Sequence, residues 1–152
     1  MSTLIRGTGS ALPERVISNA DLEKMVETND EWIVTRTGIR ERRMLAPEEA
    51  TSDIVTRAAQ RALEQAGLAP GDLDLIVVAT CTPDTFTPAT ANHVHRNLCR
   101  GSTIPAFDVN AACSGFVYGL EVVTSMLQSG GYRRALLAGG EAGEYSIFLR
   151  IV

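Results

Sequence analysis

The stretch Leu75-Ile76-Val77-Val78-Ala79 is apolar at every position, and it decides the fold. Such a run suits a strand that is covered on both faces in a parallel sheet, because an antiparallel strand with one solvated face alternates apolar and polar residues. Further strands are predicted at Ile104 to Val109 and at Ala135 to Ala138, with an opening strand at Leu4 to Ala11. The sequence therefore predicts an α/β protein with layered helices on a mainly parallel sheet.

Helical patterns separate these strands. The clearest helix begins at the cluster Thr51-Ser52-Asp53, carries apolar residues at three-and-four spacing, and ends at Gly67. Four more helices are predicted: one capped by Ser18 or Asn19, one that begins at the capping-box sequence Thr28-Asn29-Asp30-Glu31 and ends at Gly38, one from Ala89 to about Leu98, and one from Phe116 to about Gln128. No repeat or linker divides the sequence, so we expect residues 1–152 to form one domain.

The composition bounds the class of protein. The chain has 152 residues, of which 45% are hydrophobic and 21% charged, as expected of a globular domain with a buried core. The net charge of −4, with no dense basic stripe, argues against nucleic acid as a partner. The longest apolar runs fall far short of the ~20 residues of a membrane-spanning helix. The first residues also lack the pattern of an export signal. We therefore expect a cytoplasmic protein with no membrane partner.

Three cysteines are present, at Cys81, Cys99 and Cys113, without CxxC spacing, so we expect reduced thiols rather than a disulfide scaffold or a metal site. Cys113 lies in Ala111-Ala112-Cys113-Ser114-Gly115, between a predicted strand end and the first turn of the next helix. A helix N-terminus favours a thiolate over a thiol, and the small neighbours leave room for a thioester. The backbone N–H of Cys113 is a candidate oxyanion donor. From position alone, a buried and inert cysteine is an equally good interpretation.

A longer motif favours Cys113 as a reactive nucleophile over a buried, inert cysteine. The stretch Asp30-Glu31-Trp32-Ile33-Val34-Thr35-Arg36-Thr37-Gly38-Ile39-Arg40-Glu41-Arg42-Arg43 closely resembles an early motif of β-ketoacyl-acyl-carrier-protein synthase III, a thiolase-fold condensing enzyme that starts fatty acid synthesis. Four other segments resemble the same family in the same order: Gly7 to Val16, Asp74 to Thr80, Ala106 to Val109, and Ala111 to Phe116. The resemblance covers about residues 4–141 and implies the N-terminal half of a thiolase-like fold, with the C-terminal half absent from this sequence.

The resemblance implies roles for individual residues. Cys113 matches the nucleophile that takes the acyl group from acyl-CoA and releases CoA. Trp32 and Arg36 match the positions that hold the CoA adenine, although Trp32 alone would be interpreted as an ordinary half-buried aromatic. Thr28 matches a position near the CoA arm but is also explained as a helix N-cap. Phe86 matches the residue that reaches across a dimer into the partner's acyl pocket, with an exposed aromatic packed locally as the alternative. Acyl-CoA is then a substrate, and no cofactor or metal is expected.

The sequence also departs from the family pattern. The family's catalytic histidine and asparagine, which form the oxyanion hole for malonyl decarboxylation, belong to the second half, and no motif replaces them here. His93 and His95 are two residues apart on a predicted helix and point to different sides, which suits neither a catalytic pair nor a metal site. The segment Glu141 to Val152 looks altered, with a short insertion before Arg150-Ile151-Val152.

Two functions of different classes follow. The first is a transferase of lipid metabolism: acyl transfer from CoA to Cys113, then decarboxylative condensation with malonyl-acyl carrier protein to initiate fatty acid biosynthesis, with the isolated chain inactive in condensation. The second is a noncatalytic partner half of a split or heteromeric thiolase-like complex, which pairs with a complementary C-terminal half chain. An acyltransferase of secondary metabolism is a variant of the first. The family dimerises through the strand near Ile104 to Val109, so a homodimer is also expected.

Overall fold

The structure, a computed structural model, describes residues 3–142. Its strands are β1 (Arg15–Ser18), β2 (Glu41–Met44), β3 (Leu75–Ala79), β4 (Ala106–Val109) and β5 (Ala135–Gly139). Its α-helices are α1 (Asn19–Leu22), α2 (Asp30–Thr37), α3 (Thr51–Ala66), α4 (Thr90–Leu98) and α5 (Gly115–Gln128), and short 3-10 turns lie at Pro70–Asp72 and Ala112–Ser114. Most of the segment that departs from the family pattern, residues 143–152, lies outside the described residues.

A parallel sheet forms the centre of the molecule, with strand order β4-β3-β5. The middle strand β3 pairs with both neighbours in parallel, and all of its residues are buried. Its side chains alternate between two cores. Ile76 and Val78 pack with residues of α3 and α4 on one face, while Leu75 and Val77 pack with Val123 of α5 on the other. The predicted α/β architecture is confirmed, and burial on both faces explains why β3 carries no polar residue.

The N-terminal segment differs from the prediction. Leu4 to Ala11 forms no strand with any part of the chain between residues 3 and 142. It packs against α3 instead: the Thr8 N–H donates to Gln65 Oε1 at 2.6 Å, and a Cβ at Gly9 would collide with the Ala58 carbonyl oxygen. The glycines there permit close approach of two backbones rather than pairing in a ladder.

The first strand is instead β1, which pairs antiparallel with β2. The sequence did not predict this antiparallel pair, because Glu41-Arg42-Arg43-Met44 lacks an apolar alternation. Two polar contacts tie it to its surroundings: Arg42 donates to the buried Asn19 side chain at 2.8 Å, and Asn19 donates to the Ile39 carbonyl oxygen at 2.9 Å. Polar bonds rather than burial therefore fix β2.

The helix caps confirm one prediction and correct another. Ser18 caps α1 in a capping box with Asp21, as the sequence indicated. The cap of α2 is Asn29, whose Oδ1 accepts a hydrogen bond from the Trp32 N–H at 2.8 Å, so the predicted cap at Thr28 is wrong. Asparagine is among the best N-cap residues, which accounts for the shift by one position. The left-handed Gly38 ends α2 as predicted, with φ of 72°.

Within the part of the chain that the structure covers, no helix has both the length and the apolar character needed to cross a membrane.

Candidate active site

The carboxyl ends of β3, β4 and β5 meet at one edge of the sheet. Two backbone hydrogen bonds hold the outgoing chains together just beyond the strands: the Thr80 N–H donates to Val109 O at 3.1 Å, and the Gly140 N–H donates to Ala79 O at 3.1 Å. In open parallel sheets this edge is where ligands bind. The candidate site is built from the residues that leave the three strands here.

Cys113 is exposed at this edge, on the Ala112–Ser114 turn that leads directly into α5. The prediction that it lies between a strand end and a helix start is confirmed, and the residue is exposed rather than buried, while its reactivity stays a prediction. The amides after it are used inside the turn, since Ser114 N–H donates to Ala111 O and Gly115 N–H to Ala112 O. The Cys113 N–H has no acceptor among residues 3–142.

Ala112, immediately before Cys113, has φ of 45° and is the non-glycine residue with positive φ in the described chain. This left-handed conformation costs an L-residue roughly 1–2 kcal/mol. Strained backbone of this kind persists where the surrounding structure fixes it, and it clusters at active sites. Gly115, three residues further on, is buried, and a Cβ there would lie 3.4 Å from Ala79 Cβ, in ordinary contact with the end of β3. Sequence patterns gave no signal for the strain at Ala112.

A cluster of hydrogen bonds around the Glu141 carboxylate lies at the same edge of the sheet, just beyond the ends of β3 and β5. The carboxylate of Glu141 accepts hydrogen bonds from the Thr82 hydroxyl at 2.6 Å, from the Cys81 N–H at 3.0 Å and from the Cys81 thiol at 3.3 Å. That thiol hydrogen bond, together with burial and the charge of Glu141, raises the pKa of Cys81. Sequence reasoning missed both residues, although each follows a strand end and the edge rule would have flagged them.

Asp108, in β4, anchors the helix that follows the loop of residues 82–88. Its Oδ2 accepts a hydrogen bond from the Thr90 N–H at 2.7 Å, and its Oδ1 accepts one from the Ala91 N–H at 2.8 Å. Thr90 and Ala91 are both 0% exposed. Asp108 thus satisfies two buried amides at the start of α4 and favours that positive helix end with its charge.

Phe86 lies in this loop and is fully exposed, as its alternative interpretation expected, but it does not pack locally. Its predicted role in a partner's acyl pocket stays a prediction.

A second feature involves Trp32 and Arg36 on α2. The Arg36 guanidinium carbon lies 4.6 Å from the centroid of the Trp32 ring, which is a cation–π contact. Beside the ring is a cavity of about 310 Å³ lined by Glu27, Thr28, Asn29 and Trp32. The structure thus places Thr28 and Trp32 on one cavity, which includes neither Cys113 nor Phe86. Since Thr28 is not the helix cap, its alternative explanation no longer holds.

The two histidines do not form a site together. His93 Nε2 lies 3.2 Å from Thr85 Oγ1, and His95 Nε2 lies 2.7 Å from Ser102 Oγ. They contact different partners, as their spacing predicted. Between residues 3 and 142 there is no group of three or more His, Cys, Asp or Glu side chains arranged to hold a metal ion.

Comparisons with known proteins identify proteins that this chain resembles in sequence. Residues 107–147 match the family model of 3-oxoacyl-[acyl-carrier-protein (ACP)] synthase III. The β-ketoacyl-[acyl-carrier-protein] synthase III of Caldanaerobacter subterraneus subsp. tengcongensis is 54% identical over 137 residues, which are 90% of this chain and 41% of that protein. The chain therefore spans less than half the length of this curated relative.

Solved structures of similar proteins also match this chain in fold. The crystal structure of 3-oxoacyl-[acyl-carrier-protein] synthase III from Aquifex aeolicus VF5 matches with a TM-score of 0.87 and 47% identity, over 92% of this chain and 45% of that one. The priming β-ketosynthase of the R1128 polyketide biosynthetic pathway matches with a TM-score of 0.84 and 37% identity, over 90% of this chain and 41% of that one.

Proposed function

We propose that this chain, which corresponds in sequence and fold to the N-terminal half of the β-ketoacyl-[acyl-carrier-protein] synthase III family, takes an acyl group from acyl-CoA onto Cys113. The observation that carries the proposal is the exposed Cys113 thiol at the carboxyl edge of the sheet, directly before the helix α5. Its sulfur attacks the thioester carbonyl, a new C–S bond forms, and the bond to the CoA sulfur breaks. The CoA thiolate leaves and takes a proton.

The backbone supports the tetrahedral intermediate of this step. The Cys113 N–H has no acceptor within residues 3–142, which supports its assignment as a donor to the oxyanion, and the N-terminus of α5 adds favourable partial charge. All three cysteines are unpaired thiols, which suits a reducing cytoplasm and a nucleophile that must stay free.

We assign the CoA nucleotide to Trp32 and Arg36. An indole face and a planar guanidinium both stack on a purine, and their spacing on α2 puts them on one side of the helix. The neighbouring cavity of about 310 Å³, which Thr28 lines, accommodates the start of the CoA arm. In the structure the guanidinium covers one face of the ring, so a purine that stacks between the two groups enters only after Arg36 moves aside.

A homodimer is the assembly that we propose. β4 is an outer strand of the described sheet, and the fully exposed Phe86 extends from the loop that precedes α4. Pairing of two β4 strands would satisfy their free edges and bring Phe86 to the partner's site. A complementary C-terminal half chain has its own candidate surface in α5, where Val117, Tyr118 and Leu120 are 65%, 57% and 40% exposed.

With the family's second half present, we propose that the acyl-enzyme condenses with malonyl-acyl carrier protein and so initiates fatty acid biosynthesis. A second candidate is acyl transfer in secondary metabolism, which the similarity to a polyketide priming β-ketosynthase favours. The two functions share the acylation of Cys113 and differ in the acyl group and the acceptor.

The test is incubation of the purified chain with a panel of acyl-CoA thioesters, followed by peptide mass mapping. We expect one acyl group on Cys113, loss of the label in Cys113→Ala, and unchanged labelling in Cys99→Ala, which removes a buried thiol of the same type. Labelling of Cys81 alone, or equal labelling in Cys113→Ala, would contradict the proposal. The preferred acyl group separates the fatty acid role from the secondary-metabolic one.

A further inference from the structure

Two of the three thiols share the carboxyl edge of the sheet. β3 and β4 are neighbours in register, with Ala79 opposite Val109. Cys81 leaves the end of β3 two residues beyond Ala79, and the Thr80 N–H between them bonds to Val109 O at 3.1 Å. Cys81 therefore lies next to the end of β4, from which the chain continues into the Cys113 turn. Both thiols are exposed.

The Cys113 turn folds back over the same strand ends. A Cβ at Gly115 would lie 3.4 Å from Ala79 Cβ and 3.8 Å from Val109 O, so the start of α5 sits on the end of β3 as well as on β4. The Glu141 hydrogen bond is the main cause of the raised pKa of Cys81, and the charge of Cys113 adds to it.

Cys99 provides the contrast. It is 6% exposed, packs in the core with α3, α4 and β3, and its thiol donates to Pro70 O at 3.2 Å. It lies on the far end of α4 and outside the edge cluster, so it has access neither to solvent oxidants nor to Cys113.

We propose that Cys81 is the partner thiol of Cys113, and that the two close into a disulfide when a hydroperoxide oxidises Cys113. The inference uses the same nucleophile as the proposed function but does not require acylation. It assigns to Cys81 a role that the acyl-transfer step does not use, which is reversible protection of the nucleophile.

The chemistry proceeds in two balanced steps. The Cys113 thiolate attacks one oxygen of hydrogen peroxide, the O–O bond breaks, and hydroxide leaves and takes a proton to become water, so that Cys113 becomes a sulfenic acid. The Cys81 sulfur then attacks the Cys113 sulfur, the S–O bond breaks, and a second water leaves. Glu141, whose carboxylate lies 3.3 Å from the Cys81 sulfur, accepts the Cys81 proton and passes it to the departing hydroxide. Overall, two thiols and one hydrogen peroxide give one disulfide and two waters.

The experiment treats the full chain with hydrogen peroxide and maps its peptides without reduction. We expect a Cys81–Cys113 cross-linked peptide, a mass loss of two hydrogens, and restoration by dithiothreitol. In Cys81→Ser the Cys113 sulfenic acid should persist and be trapped by dimedone, while Cys99→Ser should form the cross-link as the unaltered chain does. Cross-links to Cys99, cross-links only between two chains, or no cross-link in the unaltered chain would each overturn the proposal. The search for a cross-link in the unaltered chain does not depend on whether any variant folds.

Acylation measured on the same samples separates this inference from the proposed function. Oxidised protein should lose acyl labelling at Cys113 and regain it after reduction. Labelling of Cys113 by acyl-CoA without any disulfide would overturn the inference and leave the proposed function standing. Disulfide formation without acylation would overturn the proposed function and leave the inference standing.

Discussion

Replacement of Asp108 by alanine tests whether this carboxylate joins β4 to α4. The change removes both acceptors for the Thr90 and Ala91 amides, which lie at residues with no exposed surface. A buried N–H left without an acceptor costs about 1–3 kcal/mol, and the lost charge at the helix N-terminus adds about 0.3–1 kcal/mol. Since the two amides share one acceptor group, their losses are not independent, and we expect Asp108→Ala to lower the free energy of unfolding by about 3 kcal/mol.

The assay is urea unfolding followed by circular dichroism. With a slope of about 2 kcal/mol per molar urea, a loss of this size moves the midpoint down by about 1.5 M with the slope unchanged.

A matched control exists at Asp74, whose Oδ2 accepts hydrogen bonds from the Arg133 and Arg134 amides at 3.0 and 2.9 Å. The bonds have the same chemistry, but these amides are exposed. Water replaces the lost acceptor there, so Asp74→Ala should cost less than about 1 kcal/mol. Equal losses in the two variants, or a loss below about 1 kcal/mol in Asp108→Ala, would refute the role of burial in this argument.

Three other predictions concern reactivity, pH and turnover. Limited alkylation of the folded chain should label Cys113 first and Cys99 last, because burial shields Cys99 and raises its pKa, whereas peptide mapping with Cys99 or Cys81 labelled first would contradict the assignment of the nucleophile. Hydrogen bonds from Ser18 lower the pKa of Asp21 from 3.8 to about 2, so the stability that they supply is present above pH 3.8 and lost as the pH falls through about 2. An NMR titration of Ser18→Ala should show the Asp21 pKa rising towards 3.8, and an unchanged pKa would contradict this prediction. The 152-residue chain alone should release no carbon dioxide from malonyl-acyl carrier protein above background, because the family's two oxyanion donors have no counterpart by motif and one such donor is typically worth ~10²- to 10³-fold in rate; robust release would show that the catalytic groups are misplaced.

The sequence predicted those elements whose burial leaves a periodic pattern. β3 is apolar throughout because both of its faces are covered, and α3 shows its buried face at helical spacing. The opening strand at Leu4 to Ala11 was wrong, because the same small residues that suit a strand also allow the backbone to lie against a helix. β2 was missed because its position depends on polar bonds to distant residues, such as that between Arg42 and Asn19.

The candidate site was predictable in the same partial way. Cys113 was identified because its position between strand and helix is visible within a few residues of sequence. The contact between Cys81 and Glu141 joins residues 60 positions apart, and only the parallel order of the strands brings them together. The positive φ of Ala112 is a backbone conformation that no pattern of neighbouring residue types reports. The interpretation of Thr28 as the N-cap of α2 was wrong because Ser, Thr and Asn compete closely for a helix N-cap.

The stacked pair on α2 has a consequence for selectivity. Arg36 already occupies one face of the only tryptophan of the chain, so that face is not free for another planar group. Any planar ring that takes this place must first displace a contact worth about 0.5–1 kcal/mol at an exposed site, which lowers its apparent affinity about two- to fivefold. A purine recovers that loss by stacking on both the indole and the displaced guanidinium, whereas a small or non-planar group does not. If the proposed nucleotide binds here, the contact between Arg36 and Trp32 would favour it modestly over smaller or non-planar ligands.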